Sequence, residues 1–206
     1  MKASIFVLAL VMSAGTAMAT QAHVVGFEPI SDDLMPTTRA SNSVVFNSIP
    51  GPYQGFAAAT GVLGFEDYNS TLAGGNAFLQ SFRFVGGVTA AGAVRVEFYD
   101  TSATLVNQFN VNLPVGNAIW NIGLETVANA KDSTFLIPDA GFVQIVALGG
   151  VTGQWFLSTT VPSVGTSSLA AGDTTTHTHN FELTVPAPSA MALLGLGGLV
   201  ATRRRR

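Results

Sequence analysis

Four sets of residues have the types and spacing that chemistry could use. His177 and His179 lie in the run TTTHTHNFEL. On a strand, a spacing of two puts both rings on one face, where neutral imidazoles could ligate a metal. Asp173 or Glu182 would then be the third ligand, although Glu182 falls on the opposite face. The plainer alternative is a solvated Thr-rich loop ahead of the last strand. Glu66-Asp67 and Asp32-Asp33 are neighbouring carboxylates, hard oxygen donors of the kind that hold Ca²⁺. The chain has no EF-hand or repeat-type calcium motif, so these acids also read as solvated surface. Tyr68 shares a strand face with Glu66, and Tyr99 shares one with Arg95 and Glu97. Aromatic rings among polar groups on the outside of a sheet suit sugar stacking, and equally suit cross-strand surface packing. Glu97 and Glu125 have the chemistry of a glycosidase pair, but nothing in their spacing sets them across a cleft. There is no Gly-x-Ser-x-Gly elbow, zinc-protease helix motif or phosphate loop, so the chain is not expected to be an enzyme. No cofactor is expected either, with Ca²⁺ as the alternative.

The elements that must carry these residues read as strands. Ser43 to Ile49 is a first strand, closed by Pro50-Gly51-Pro52, and Val62 to Tyr68 is a second. Phe78 to Val85 places Phe78, Phe82 and Phe84 on one face, with Ser81 and Arg83 on the other. Val94 to Asp100 turns Val94, Val96 and Phe98 inward and Arg95, Glu97 and Tyr99 outward. Leu105 to Leu113 points Leu105, Phe109, Val111 and Leu113 inward, and Ile119 to Glu125 does the same with Trp120, Ile122 and Leu124. This period of two marks half-buried strands. Phe142 to Leu148 is apolar on both faces apart from Gln144, as a central strand would be. Gln154 to Thr159 and Asn180 to Val185 complete the set, and both Trp120 and Trp155 read as core. Thr20 to Asn42 reads as a leader and Gln54 to Gly61 as a small-residue loop. About ten short strands without an amphipathic helix predict an all-β fold, a single antiparallel β-sandwich. A jelly roll is the preferred topology.

Both ends of the chain carry addresses. Lys2, the apolar run IFVLALVM and the small-x-small site Ala17-Met18-Ala19 form a secretory signal peptide over residues 1–19, with a mature start at Thr20. The sandwich then occupies residues 20–184. At the other end, Val185-Pro186-Ala187-Pro188 is followed by an apolar run and by Arg203, Arg204, Arg205 and Arg206. The run from Ala190 to Val200 would rise roughly 16 Å as a helix, whereas the hydrocarbon core of a bilayer is about 30 Å thick. It is short for a stable span, and the arginines would stay on the cytoplasmic side. A proline break, a short apolar segment and a basic end have the physical logic of a signal that is recognised and then removed.

This C-terminal stretch, residues 185–206, resembles the PEP-CTERM sorting signal of bacterial exported proteins. Ala187 stands where the commoner form of the motif has Glu, and a Val-Pro-Ala-Pro form occurs as well. The resemblance implies transient membrane insertion of the precursor, recognition by an exosortase-type membrane protease, and delivery to the cell surface or extracellular matrix. Signal peptidase would be the other processing partner. The stretch from Glu66 to Val88 also resembles the opening of sandwich domains in such proteins, most of which have no assigned activity.

Between the two addresses lie all twelve acidic residues but only Arg39, Arg83, Arg95 and Lys131 of the basic ones, a net charge of −8 against −3 for the whole chain. An acidic body argues against a nucleic-acid partner, which needs basic patches. The chain has no cysteine, so it has no disulfide, no thiolate nucleophile and no cysteine metal site. These observations predict a structural or adhesive surface protein. The alternative is a carbohydrate-binding module meeting an extracellular polysaccharide.

Overall fold

The computed structural model describes residues 20–30, 42–55, 58–72, 74–126, 134–168 and 177–186. Among them there is no helix, and the strands in chain order are β1 (Thr20–Glu28), β2 (Asn42–Asn47), β3 (Tyr53–Gln54), β4 (Ala59–Thr60), β5 (Val62–Asn69), β6 (Asn76–Phe78), β7 (Ser81–Val88), β8 (Gly92–Tyr99), β9 (Leu105–Leu113), β10 (Gly116–Thr126), β11 (Leu136–Pro138), β12 (Ala140–Ala147), β13 (Thr152–Trp155), β14 (Leu157–Ser158), β15 (Thr178–His179) and β16 (Phe181–Pro186). The fold is all-β and every strand pairing is antiparallel.

Two large sheets pack in a sandwich-like arrangement. In the larger, seven-stranded sheet β7 is the hub. One edge of β7 pairs with β10, which pairs in turn with β1. Its other edge is shared: β16 takes the first half, from Ser81 to Phe84, and β13 takes Gly86 to Val88. Beyond these lie β2, beside β16, and β4, beside β13. The second sheet has four strands in the order β5-β12-β8-β9. Two small sheets, β11-β6 and β15-β14-β3, complete the pairing.

The core between the large sheets is rich in rings. Phe82 from β7 meets Phe98 and Phe109 edge-on, each with ring centroids at 6.0 Å. Phe181 from β16 stacks on Phe46 at 4.5 Å. Offset and edge-to-face contacts of this kind contribute beyond the area they bury. Trp120 and Trp155 are core, as the sequence predicts, and each indole N–H finds a carbonyl: Trp120 Nε1 donates to Gly86 O and Trp155 Nε1 to Asn180 O.

Five expectations about faces and boundaries fail for physical reasons. The predicted loop Gln54 to Gly61 contains β4, which pairs with β13. The predicted strand Gln154 to Thr159 is broken at Phe156, whose N donates to Val85 O, and β14 beyond it joins a separate small sheet. The predicted strand Phe78 to Val85 is broken at Leu79 and Gln80. Leu79 N donates to Phe135 O, Phe78 pairs with Leu136 in a separate small sheet, and the Phe78 ring is 47% exposed. Leu105 opens β9 beyond the core and is also exposed. The leader contains a full strand, β1, whose pairing with β10 shifts register between Val24 and Gly26.

β7 is buried on both faces, and its outward face carries Arg83. Its guanidinium donates from Nη1 to both Glu182 oxygens at 3.4 Å and from Nη2 to Glu28 Oε2 at 3.1 Å. These contacts tie β16, β7 and β1 together across the sheet. Glu182 is as buried as Arg83, whereas the Glu28 side chain is 36% exposed. Arg83→Met would strand a buried carboxylate and is expected to cost about 3–5 kcal/mol. Glu28→Gln should cost no more than about 1 kcal/mol, because the Glu28 carboxylate is itself partly exposed and screened by solvent. Urea unfolding midpoints at constant slope measure both; equal small shifts would refute the assignment.

Candidate functional site

The four residues proposed as metal ligands do not gather. Glu66, 1% exposed, accepts a hydrogen bond from the main-chain N–H of His179 at 2.9 Å. The His179 ring is fully buried and stacks on Trp155, with centroids at 4.3 Å. Gly64 makes this stack possible: a Cβ there would overlap the His179 ring and press Trp155 at 3.0 Å. His177 reaches elsewhere, with Nε2 3.0 Å from Gln54 Oε1. Asp67 accepts from Ser168 N at 3.0 and 2.9 Å. Burial pushes the Asp67 carboxyl up, opposed by the Ser168 amide, the Glu66 side chain and its own backbone N–H. Among the described residues no three His, Asp or Glu side chains form a group that could hold a metal ion.

The sugar-stacking pair separates as well. Tyr68 does share a face with Glu66, but it is the inner one, and Tyr68 is 2% exposed. Its ring packs edge-on against Phe46 and Phe181, and its hydroxyl donates to Pro138 O at 2.9 Å. With that partner the phenol can be buried without an unmet hydrogen bond. Burial, reinforced by the charge of Asp139, raises its pKa strongly. A ring in this position has no face to offer a sugar, so Tyr68 is corrected from surface to core.

Tyr99 is where the sequence puts it, on the outer face of the four-stranded sheet, and it has unexpected company. Strand register aligns Asp67, Phe142 and Tyr99 in one row across β5, β12 and β8. The next row is Phe65, Gln144, Glu97 and Gln108, and a third contains Val146, Arg95 and Asn110. Phe65 stacks on Phe142 with centroids at 4.9 Å and planes 16° apart, and it meets Tyr99 edge-on at 6.4 Å. All three rings are half-buried, and none belongs to the core between the sheets. The sequence signal for Phe65 and Phe142 was alternation, since each lies between two inward neighbours. Their apolar character masked it.

The polar half of this face is ordered around Glu97, only 5% exposed. Tyr99 Oη donates to Glu97 Oε2 at 2.7 Å. Arg95 Nε lies 2.6 Å from Glu97 Oε1, an ion pair by distance that lacks hydrogen-bond alignment. Glu125, weighed with Glu97 as a carboxylate pair, belongs to β10 in the other large sheet, opposite Gln21 of β1.

Several expected features fall outside the described residues: Ala17 and Ala19 of the signal peptide, Asp32-Asp33, Asp173, Ala187, Pro188 and Arg203 to Arg206. Thr20 opens β1. Among the described residues no helix is long and apolar enough to cross a membrane. Val185 and Pro186, the first half of the expected sorting motif, close β16 opposite Ser43 and Asn42.

The Tyr99 phenol is pushed up to about 12 by desolvation, by its hydrogen bond to Glu97 and by the charge of Glu97, with Arg95 opposing. The resulting stability is fully present below the free phenol pKa of about 10. It is lost as pH rises through the folded value. At pH 10, where a free phenol is half ionised, Tyr99 should remain almost wholly protonated. The difference in ultraviolet absorbance between the protein and Tyr99→Phe reads this directly. In Glu97→Gln the ionisation should move down toward pH 10; an unchanged titration would refute the role of Glu97.

In comparisons with known proteins, no family model matches the chain, and neither a curated protein nor a solved structure does.

Proposed function

We propose that the protein is an exported structural or adhesive component of the cell surface or extracellular matrix, released from its C-terminal tail by an exosortase-type protease. The observation that carries this reading is how the tail is attached. Val185 is buried and pairs with Ser43, and Pro186 pairs with Asn42. The folded body therefore includes the first two residues of the motif. A cut beyond them would cost no sheet pairing of β16. Residues 187–206 can serve as an address while the body stays intact. The signal peptide over residues 1–19 supplies the matching export route.

A jelly roll is the topology we favour for the body. Its support is the strand order: β2-β16-β7-β10 in the larger sheet against β5-β12-β8-β9 in the smaller one. This interleaves early and late strands as two Greek keys do. β1 and β13 then extend the larger sheet around that frame.

Intact-mass analysis of the protein recovered from its native host tests the processing. The expected C-terminus lies near Pro188 and the expected N-terminus at Thr20. A mature chain that still carries Arg203 to Arg206 would defeat the proposal.

A further inference from the structure

We propose that the outer face of the four-stranded sheet binds a neutral polysaccharide, with Phe65, Phe142 and Tyr99 against the apolar faces of its pyranose rings and Arg95 and Gln144 toward its hydroxyls. The inference deepens the adhesive reading above by naming its partner, and it rests on that reading.

The chemistry of the face selects the ligand. A pyranose offers an apolar C–H face bordered by hydroxyls. The site offers aromatic rings bordered by hydrogen-bonding groups at the spacing of a sheet, about 4.8 Å between strands. Rings on strands have few rotamers to lose on binding. Two of the strands that carry them are also backed by rigid core: Val96 and Phe98 on β8, and Val143 and Ile145 on β12, are completely buried. Arg95 is held toward Glu97 yet stays about one-third exposed, and a guanidinium has five N–H donors. Gln144 adds an amide between Phe65 and Glu97, half-buried in the central strand β12.

Charge narrows the class. Asp67 and Glu97 outnumber Arg95 on this face, and the body between the two end signals carries −8. That balance repels uronates and sulfated sugars at close range and leaves neutral chains favoured. A protein partner would find the polar rows poorly matched to an apolar interface core. Glu97 is a positioning residue: Arg95 lies against one carboxylate oxygen and the Tyr99 hydroxyl bonds the other.

The test uses the full secreted chain in affinity electrophoresis and calorimetry. The probes are soluble neutral glucan, mannan and xylan, with polygalacturonate as the acidic comparison. Binding to at least one neutral polymer and none to polygalacturonate is expected. Phe142→Ala should weaken binding about tenfold, the scale of one lost aromatic contact. Phe142→Leu keeps apolar bulk but not a flat ring, and should also weaken binding, by no more than the alanine variant, with an unchanged thermal midpoint; it guards against a folding defect in the alanine variant. Val161→Ala, at an exposed site outside the strands, should bind normally. Three results would overturn the proposal: no neutral polymer bound, full binding retained by Phe142→Leu, or preference for polygalacturonate. Self-association abolished by Phe142→Leu without glycan binding would assign the face to a second copy and overturn it too. Tail processing is read by mass alone, so failure here would leave the export reading standing or falling separately.

Discussion

The larger sheet is registered against a strand that is buried along its whole length. All eight residues of β7 are buried, so its main-chain groups have to be met by neighbours. β10 meets them along one edge; β16 and β13 divide the other. That division fixes the C-terminal strand in the sheet, and it is why Val185 reaches Ser43. The inward rings of β7 then set the opposite sheet. Phe82 packs on Phe98 and Phe109, which locks Val94, Val96 and Phe98 inward on β8. Because side chains alternate, a slip by one residue would turn Tyr99 and Glu97 into the core. The outer face is thus a consequence of core packing two layers away.

The sequence was legible where one face was plainly apolar. β9 has the expected bounds and alternates from Asn107 to Leu113, and the inward sets of β8 and β10 are as expected. It was illegible where pairing partners were remote. Ser48 Oγ accepts from Phe181 N at 3.0 Å and lies 2.7 Å from His179 O, more than 130 positions away in the chain. Asn180 Nδ2 donates to Ser158 Oγ at 3.0 Å and also reaches Ser48 O. These bonds hold the segment that contains His179. They explain why a Thr-rich run that looks like solvated loop ends in wholly buried residues. No spacing rule points to them, because each partner comes from a different strand or loop.

The pattern Glu-x-Tyr occurs twice. Glu66-Asp67-Tyr68 and Glu97-Phe98-Tyr99 have the same outer residues and opposite fates. In the first, the middle residue is charged and stays half-exposed, so Glu66 and Tyr68 turn inward. The interior accepts them because each finds a main-chain partner, the His179 amide and the Pro138 carbonyl. In the second, the middle residue is Phe98, completely buried. Burying that ring is worth about 1.5–3 kcal/mol, and it sends Glu97 and Tyr99 to the outer face, where they bond each other. Phase is therefore decided by the residue between the candidates, not by the candidates themselves. The same logic sends Phe65 outward, since its neighbours Gly64 and Glu66 are needed inside against His179. An aromatic ring left on the surface by that competition is the start of the site on which a sugar would rest.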